Sequence, residues 1–150
     1  MKAGVFVVAA LILSGCAGNQ GSADAQSPGT TPPASAATAQ ARLAASPRHG
    51  EWVTVKTSAT DSVRAYLVYP ERRGKAPVVV VIHEIFGLSN WVRSVADQLA
   101  ADGFVAIAPD LLTRKNIPNN ANGEPNPDSA RAKIGQLDFL TYQRDTGEVV

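Results

Sequence analysis

Five consecutive β-branched residues, Val78-Val79-Val80-Val81-Ile82, constrain this chain more than any other feature. Branching at Cβ stiffens χ1 and favours extended backbone, and an apolar run without alternation suits a strand buried on both faces of a sheet. The run starts after Pro77 and ends abruptly at His83 and Glu84, followed by Gly87 and a candidate helix cap at Ser89 or Asn90. A parallel strand that turns into a helix delivers its last polar residues to the carboxyl edge of the sheet, where open α/β folds bind ligands. His83 and Glu84 are site candidates on position alone.

Trp91, Val92, Val95, Ala96, Leu99 and Ala100 then recur at three- and four-residue spacing. This is one apolar face of a helix, with Arg93, Asp97 and Gln98 elsewhere on its surface. Gly103 stands where a left-handed C-cap closes it, and Phe104 to Ala108 form a second buried strand stopped by Pro109. Strand, helix and strand with short links predict a right-handed βαβ unit and a parallel pair. Upstream, Trp52–Thr57 and Val63–Tyr69 alternate in part across a short polar link, which predicts an antiparallel hairpin at a sheet edge. Downstream, residues 113–127 hold three prolines and Gly123 and read as one long loop, a kind that is often functional. Asp128 is expected to cap a further helix running to about Arg144. A hairpin plus one βαβ unit leaves sheet faces and parallel edges in need of cover, so residues 51–150 are expected to be the N-terminal part of a larger domain.

The first fifty residues read differently. Lys2 precedes an apolar stretch, Ala3 to Leu13, too short to span a bilayer as a helix. It ends in Leu13-Ser14-Gly15-Cys16, which resembles the lipobox of bacterial lipoproteins. That resemblance implies a signal peptide over residues 1–15 and lipidation of Cys16; an ordinary secretory peptide with a chance cysteine is the other reading. Cys16 is the only cysteine, so no intrachain disulfide can form. Residues 17–50 are rich in Ala, Ser, Thr, Gln, Gly and Pro, and a segment so poor in large apolar side chains is expected to be a flexible tether, residues 16–50, from lipid to domain.

Charge narrows the function further. The fourteen basic residues, less Lys2 of the signal, equal the thirteen acidic ones. A balanced chain without a basic stripe carries no electrostatic footprint for nucleic acid, and contact with a membrane would come through the lipid. The two histidines, His49 and His83, lie far apart in sequence and no metal-ligand cluster is visible.

The segment Val79–Leu111, with His83-Glu84-Ile85-Phe86-Gly87-Leu88 and the later Pro109-Asp110-Leu111, resembles the dienelactone hydrolase family of α/β-hydrolases. The resemblance extends from about residue 51 to the end. It implies a mostly parallel α/β-hydrolase sheet with antiparallel first strands, and a nucleophile in a later Gly-x-Cys-x-Gly turn with an aspartate and a histidine further on. None of those three is identifiable here, since Cys16 belongs to the signal and Ser89 and Ser94 lack the small-residue frame of a nucleophile turn. The chain is therefore expected to stop before the nucleophile turn, with the triad beyond Val150.

What remains is the other half of such a site. One oxyanion donor of an α/β-hydrolase comes from the loop after the third strand, and the resemblance places it at the backbone N–H of Ile85. Glu84, by the same resemblance, helps to activate a nucleophilic thiol by taking its proton; alternatively it caps the following helix, where the dipole also favours an acid. Arg131 falls near a family arginine that holds a substrate carboxylate, and otherwise reads as a solvated helix residue. His83 is expected to be packed structure rather than the general base, and Asp110 to hydrogen-bond loop amides. The resemblance thus implies a lipid-anchored hydrolase of ester or lactone bonds, acting on a small molecule without a cofactor. A non-catalytic envelope lipoprotein that binds through a hydrolase-like scaffold is the alternative. Either would sit on the periplasmic or extracellular face of the cell envelope, and Ala17 after the cysteine favours the outer membrane in a Gram-negative host.

Overall fold

A computed structural model describes residues 34–147. Cys16 and the signal segment lie outside the described residues. Among those described, helix α1 (Ala39–Ala44) precedes a hairpin of β1 (Gly50–Lys56) and β2 (Ser62–Val68). Strand β3 (Val78–Val80), helix α2 (Asn90–Ala101) and strand β4 (Val105–Pro109) follow. A short 3-10 turn at Thr113–Lys115 and helices α3 (Pro127–Ile134) and α4 (Phe139–Gly147) end the described chain.

The four strands form one sheet in the order β1-β2-β4-β3. The hairpin pairs antiparallel from Gly50 opposite Val68 to Lys56 opposite Ser62. β2 meets β4 antiparallel and β3 lies parallel to β4, so the βαβ unit supplies the one parallel pair among the described strands. Side-chain alternation then sorts β2 between two faces. Val63 and Ala65 pack with Ile107 on one face, and Val68 packs with Ala96, Ala100 and Ala106 against α2 on the other. Leu88 and Val92 join Ala108 on that second face. Small residues on both α2 and β4 let helix and sheet approach closely, and each fully buried valine contributes roughly 1.5–3 kcal/mol.

Three sequence expectations need correction. The Val78–Ile82 run is not buried on both faces: β3 has a neighbour only on its β4 side among the described residues, and Val78 and Ile82 are exposed. β-Branching reports extended backbone there, while burial depends on neighbours that the run itself does not encode. The expected single helix from Asp128 is two. Asn126, not Asp128, is its N-cap, accepting from the Ser129 N–H at 3.0 Å, because a residue before proline is pushed out of the helical region. Asp138 then accepts from the Thr141 N–H at 2.9 Å and starts α4 afresh.

The third correction concerns the tether. Its described part, residues 34–49, folds onto the domain, with Ala34 and Ala39 buried and α1 packed against α2. The fixing contact is a bidentate pair: Arg48 Nη2 and Nε donate to Asp97 at 2.6 and 3.0 Å, and Ser46 Oγ donates to the same carboxylate at 2.5 Å. Asp97 is therefore buried rather than on the solvated side of α2, while Trp91 is partly exposed. The C-terminus of α2 closes as expected. Gly103, at φ +96°, donates to Ala100 O, and Phe104 donates to Leu99 O, a left-handed glycine cap. Replacing Asp97 by Ala leaves the largely buried Arg48 with only Glu71, 3.4 Å from its Nη1, and is expected to cost about 1–3 kcal/mol. Thermal unfolding and faster amide exchange in residues 39–48 would register the loss.

Candidate active site

β3 ends in a turn whose hydrogen bonds account for most of its backbone. Val81 N–H still donates to Ile107 O at 2.8 Å, so the chain remains on the sheet up to that point. His83 then turns inward, its side chain fully buried, while Glu84, Ile85 and Phe86 emerge. The Glu84 carbonyl accepts from Gly87 N–H at 3.3 Å, and Gly87 adopts φ +77°. A Cβ there would sit 3.3 Å from Leu112 Cδ1 and 3.5 Å from Pro125, so both conformation and close approach require glycine.

Of the amides at Ile85, Phe86 and Gly87, the last two are engaged. Phe86 N–H donates to Glu84 Oε2 at 3.0 Å and Gly87 N–H to the Glu84 carbonyl. The Ile85 N–H has no acceptor among the described residues. Glu84 thus braces its own turn through one oxygen and keeps the other free of described partners. It does not cap α2. Ser89 Oγ accepts from Val92 N–H at 3.4 Å, and Glu124, carried in by the long loop, accepts from Asn90 N–H at 2.7 Å. A carboxylate on the first free amide of a helix is favoured by both the hydrogen bond and the dipole.

A hollow of about 390 Å³ opens beside this turn, lined by Ala36, Glu84, Phe86, Ser89, Trp91, Glu124 and Pro127. Its walls are mostly apolar with two carboxylates in them. Arg131 stands elsewhere, exposed on α3 and paired with Asp128 at 2.8 Å. Glu84 lines this hollow with Ile85 next to it in the chain, and Arg131 lies outside it.

The second strand exit is just as organised. Asp110 N–H donates to Arg64 O at 2.7 Å, its Oδ1 accepts from Leu112 N–H at 3.1 Å, and its carbonyl accepts from Thr113. It turns the chain off β4, as expected for an aspartate serving loop amides. Burial pushes its carboxyl above the usual range, against the nearby charge of Arg64 and the ring of His83. Asp110 also lines a second cavity, about 260 Å³, with Arg64, Thr113, Asn116 and Asn119.

Two features had no readable signal in the sequence. Glu124 lies within a turn-rich loop, and nothing local links it to a helix thirty-four residues earlier. Arg64 stacks on Trp52 at 3.7 Å while the half-buried Arg93 faces Trp52 and Tyr66 at 5.5 and 5.4 Å. Strand alternation placed Trp52, Arg64 and Tyr66 on candidate strands, but only the register sets them against α2. Replacing Glu124 by Ala is expected to destabilise the fold by about 1–2 kcal/mol, with Gln recovering part of it. Denaturant unfolding of the three proteins would measure the difference.

The family model of the dienelactone hydrolase family matches residues 63–140. A "Putative carboxymethylenebutenolidase" of Salmonella typhi is 39% identical over 69 residues, covering 45% of this chain and 26% of that protein. A "Probable 2-oxo-3-(5-oxofuran-2-ylidene)propanoate lactonase" of Bradyrhizobium is 35% identical over 74 residues, covering 49% and 29%. The chain thus spans about a quarter of the length of these curated relatives. Among solved structures, a "Putative Dienelactone Hydrolase" from Klebsiella pneumoniae superposes with a TM-score of 0.55 at 24% identity, over 68% of this chain and 42% of that one, which shows a shared fold.

Proposed function

The chain belongs to the dienelactone hydrolase family, and from that premise we propose that it forms the first half of the active site of an ester or lactone hydrolase. The observation that carries the reading is the Ile85 amide, left without a described acceptor in a turn where the neighbouring amides of Phe86 and Gly87 are satisfied. An N–H held open at the end of a strand is what an oxyanion needs as negative charge develops on a tetrahedral intermediate. Glu84 supports the same reading, because its carboxylate borders the adjoining hollow and has one oxygen uncommitted.

The mechanism is acyl transfer. A nucleophile attacks the carbonyl carbon, and the oxyanion that forms accepts a hydrogen bond from the Ile85 N–H; the C–O bond then breaks, its oxygen leaving as alcohol or enol with the proton the nucleophile gave up, and water returns a proton to the nucleophile as it releases the acyl group as the acid. Glu84 accepts the proton that a thiol must lose before it attacks. Nucleophile, aspartate and histidine come from chain beyond Val150. The lactonase named among the relatives supports a cyclic ester as substrate, and the apolar walls at Phe86 and Trp91 suit its ring. Arg131 would bind a substrate carboxylate only after releasing Asp128.

Lipidation at Cys16 would hold the domain on the periplasmic or extracellular face of the cell envelope. A Cys16→Ser variant is then expected in the soluble fraction of the host while the parent protein sediments with membranes; parent protein in the soluble fraction rejects the anchor. The hydrolase reading is tested on the full-length protein with a small activated ester, beside Glu84→Gln. Glu84→Gln is expected to lower turnover roughly 10²- to 10⁴-fold, the range for a lost proton acceptor. Equal rates would remove Glu84 from the mechanism, and turnover by neither would favour a binding protein on the same scaffold.

A further inference from the structure

We propose that His83 is a positioning residue: it orients the Glu84–Ile85 peptide so that its N–H faces the reacting oxyanion. The proposal rests on the role given to Ile85 above. Its geometry does not.

His83 Nε2 lies 3.1 Å from the Leu111 backbone nitrogen, and Nδ1 lies 2.8 Å from the Glu84 carbonyl oxygen. Leu111 can only donate and the carbonyl can only accept. Nε2 therefore carries the lone pair and Nδ1 the proton, an assignment the partners dictate. Asp110 Oδ1 stands 3.9 Å from the same Nε2. That separation suggests an ion pair, but the lone pair is already taken by Leu111 and no proton remains on Nε2 to offer. Both ring nitrogens are committed, which leaves His83 unable to shuttle a proton.

The acceptor on the far side of the ring is what matters. The Glu84 carbonyl and the Ile85 N–H belong to one peptide unit, and in a planar trans peptide they point in opposite directions. No cis peptide occurs among the described residues. Pinning the carbonyl toward the interior therefore aims the N–H away from it. The imidazole is rigid between its two nitrogens, so the Leu111 amide at the exit of β4 sets the direction of a peptide at the exit of β3. The ring is shielded from water, which leaves both bonds without competition. Gly87 N–H adds a second donor to the same carbonyl, and donors on a carbonyl polarise its amide toward stronger donation. A donor fixed in advance costs no reorganisation when the oxyanion forms, which is where such groups gain their effect.

The test compares the parent protein with His83→Gln and His83→Leu. Glutamine carries both a donor and an acceptor and can span the two partners; leucine has neither. Residual dipolar couplings of the ¹⁵N-labelled protein report the Ile85 N–H direction without any need for activity. His83→Leu is expected to change the Ile85 coupling while β3 and α2 keep theirs, and His83→Gln to retain the parent value. In ester hydrolysis by the full-length protein, His83→Leu should lower kcat roughly a hundredfold, the low end for a lost oxyanion donor, with KM little changed. His83→Gln should restore most of it, which a purely structural role would not require. An unchanged Ile85 direction in folded His83→Leu overturns the proposal. So does a ring ¹⁵N spectrum of the parent protein with the proton on Nε2, a measurement that decides even if the leucine variant does not fold. If the parent hydrolyses no ester while the Ile85 direction still follows His83, the hydrolase reading falls and the positioning stands.

Discussion

Parallel pairing of β3 with β4, Val78 to Val80 against Val105 to Ile107, brings two strand exits side by side. An antiparallel partner would have put one of those exits at the opposite edge. With both at one edge, the imidazole of His83 can reach from the first exit to the Leu111 amide of the second. The turn at Glu84–Gly87, the hollow beside it and the start of α2 all hang from that crossing. The three residues Pro109-Asp110-Leu111 gain a physical meaning from it too. Asp110 turns the chain so that Leu111 N–H faces inward, and the imidazole accepts it there.

The long segment after β4 does the covering. It returns Glu124 to the amide end of α2 and sets Pro125 against Gly87, so a stretch without extended secondary structure holds the candidate site from above. The N-terminal segment acts from another side, with Ala36 in the wall of the hollow and Arg48 clamped to Asp97. Neither contribution rests on large apolar area. Both rest on charged groups that find partners in partly buried places, where a missing partner costs more than the bond itself gains.

Much of the architecture was legible because it is local. Ser89 before a periodic apolar face, Gly103 after it and the alternating hairpin strands each express a backbone preference that neighbours in sequence suffice to set. The position of Glu84 and Ile85 at a strand end followed from the same arithmetic. Illegible were the contacts between segments far apart: Glu124 on α2, Arg48 on Asp97, and His83 on Leu111. The tether expectation failed over residues 34–49 for a related reason. Ala34 and Ala39 bury little area each, and composition cannot tell small residues that permit close packing from small residues that merely lack a core.

By itself the sequence determined that an ionisable pair would follow a β-branched strand, which closes at Val80, and that a glycine turn and a capped helix would come next. Those outcomes are matters of χ1, φ and the free amides of a helix end, settled within a few residues. Tertiary structure alone decided where each member of the pair points. The two side chains part because one faces the interior, where both imidazole nitrogens meet fixed partners, and the other faces the hollow. It also set the direction of the open amide, since that follows the carbonyl of the same peptide, held by an imidazole that is itself anchored at the exit of another strand.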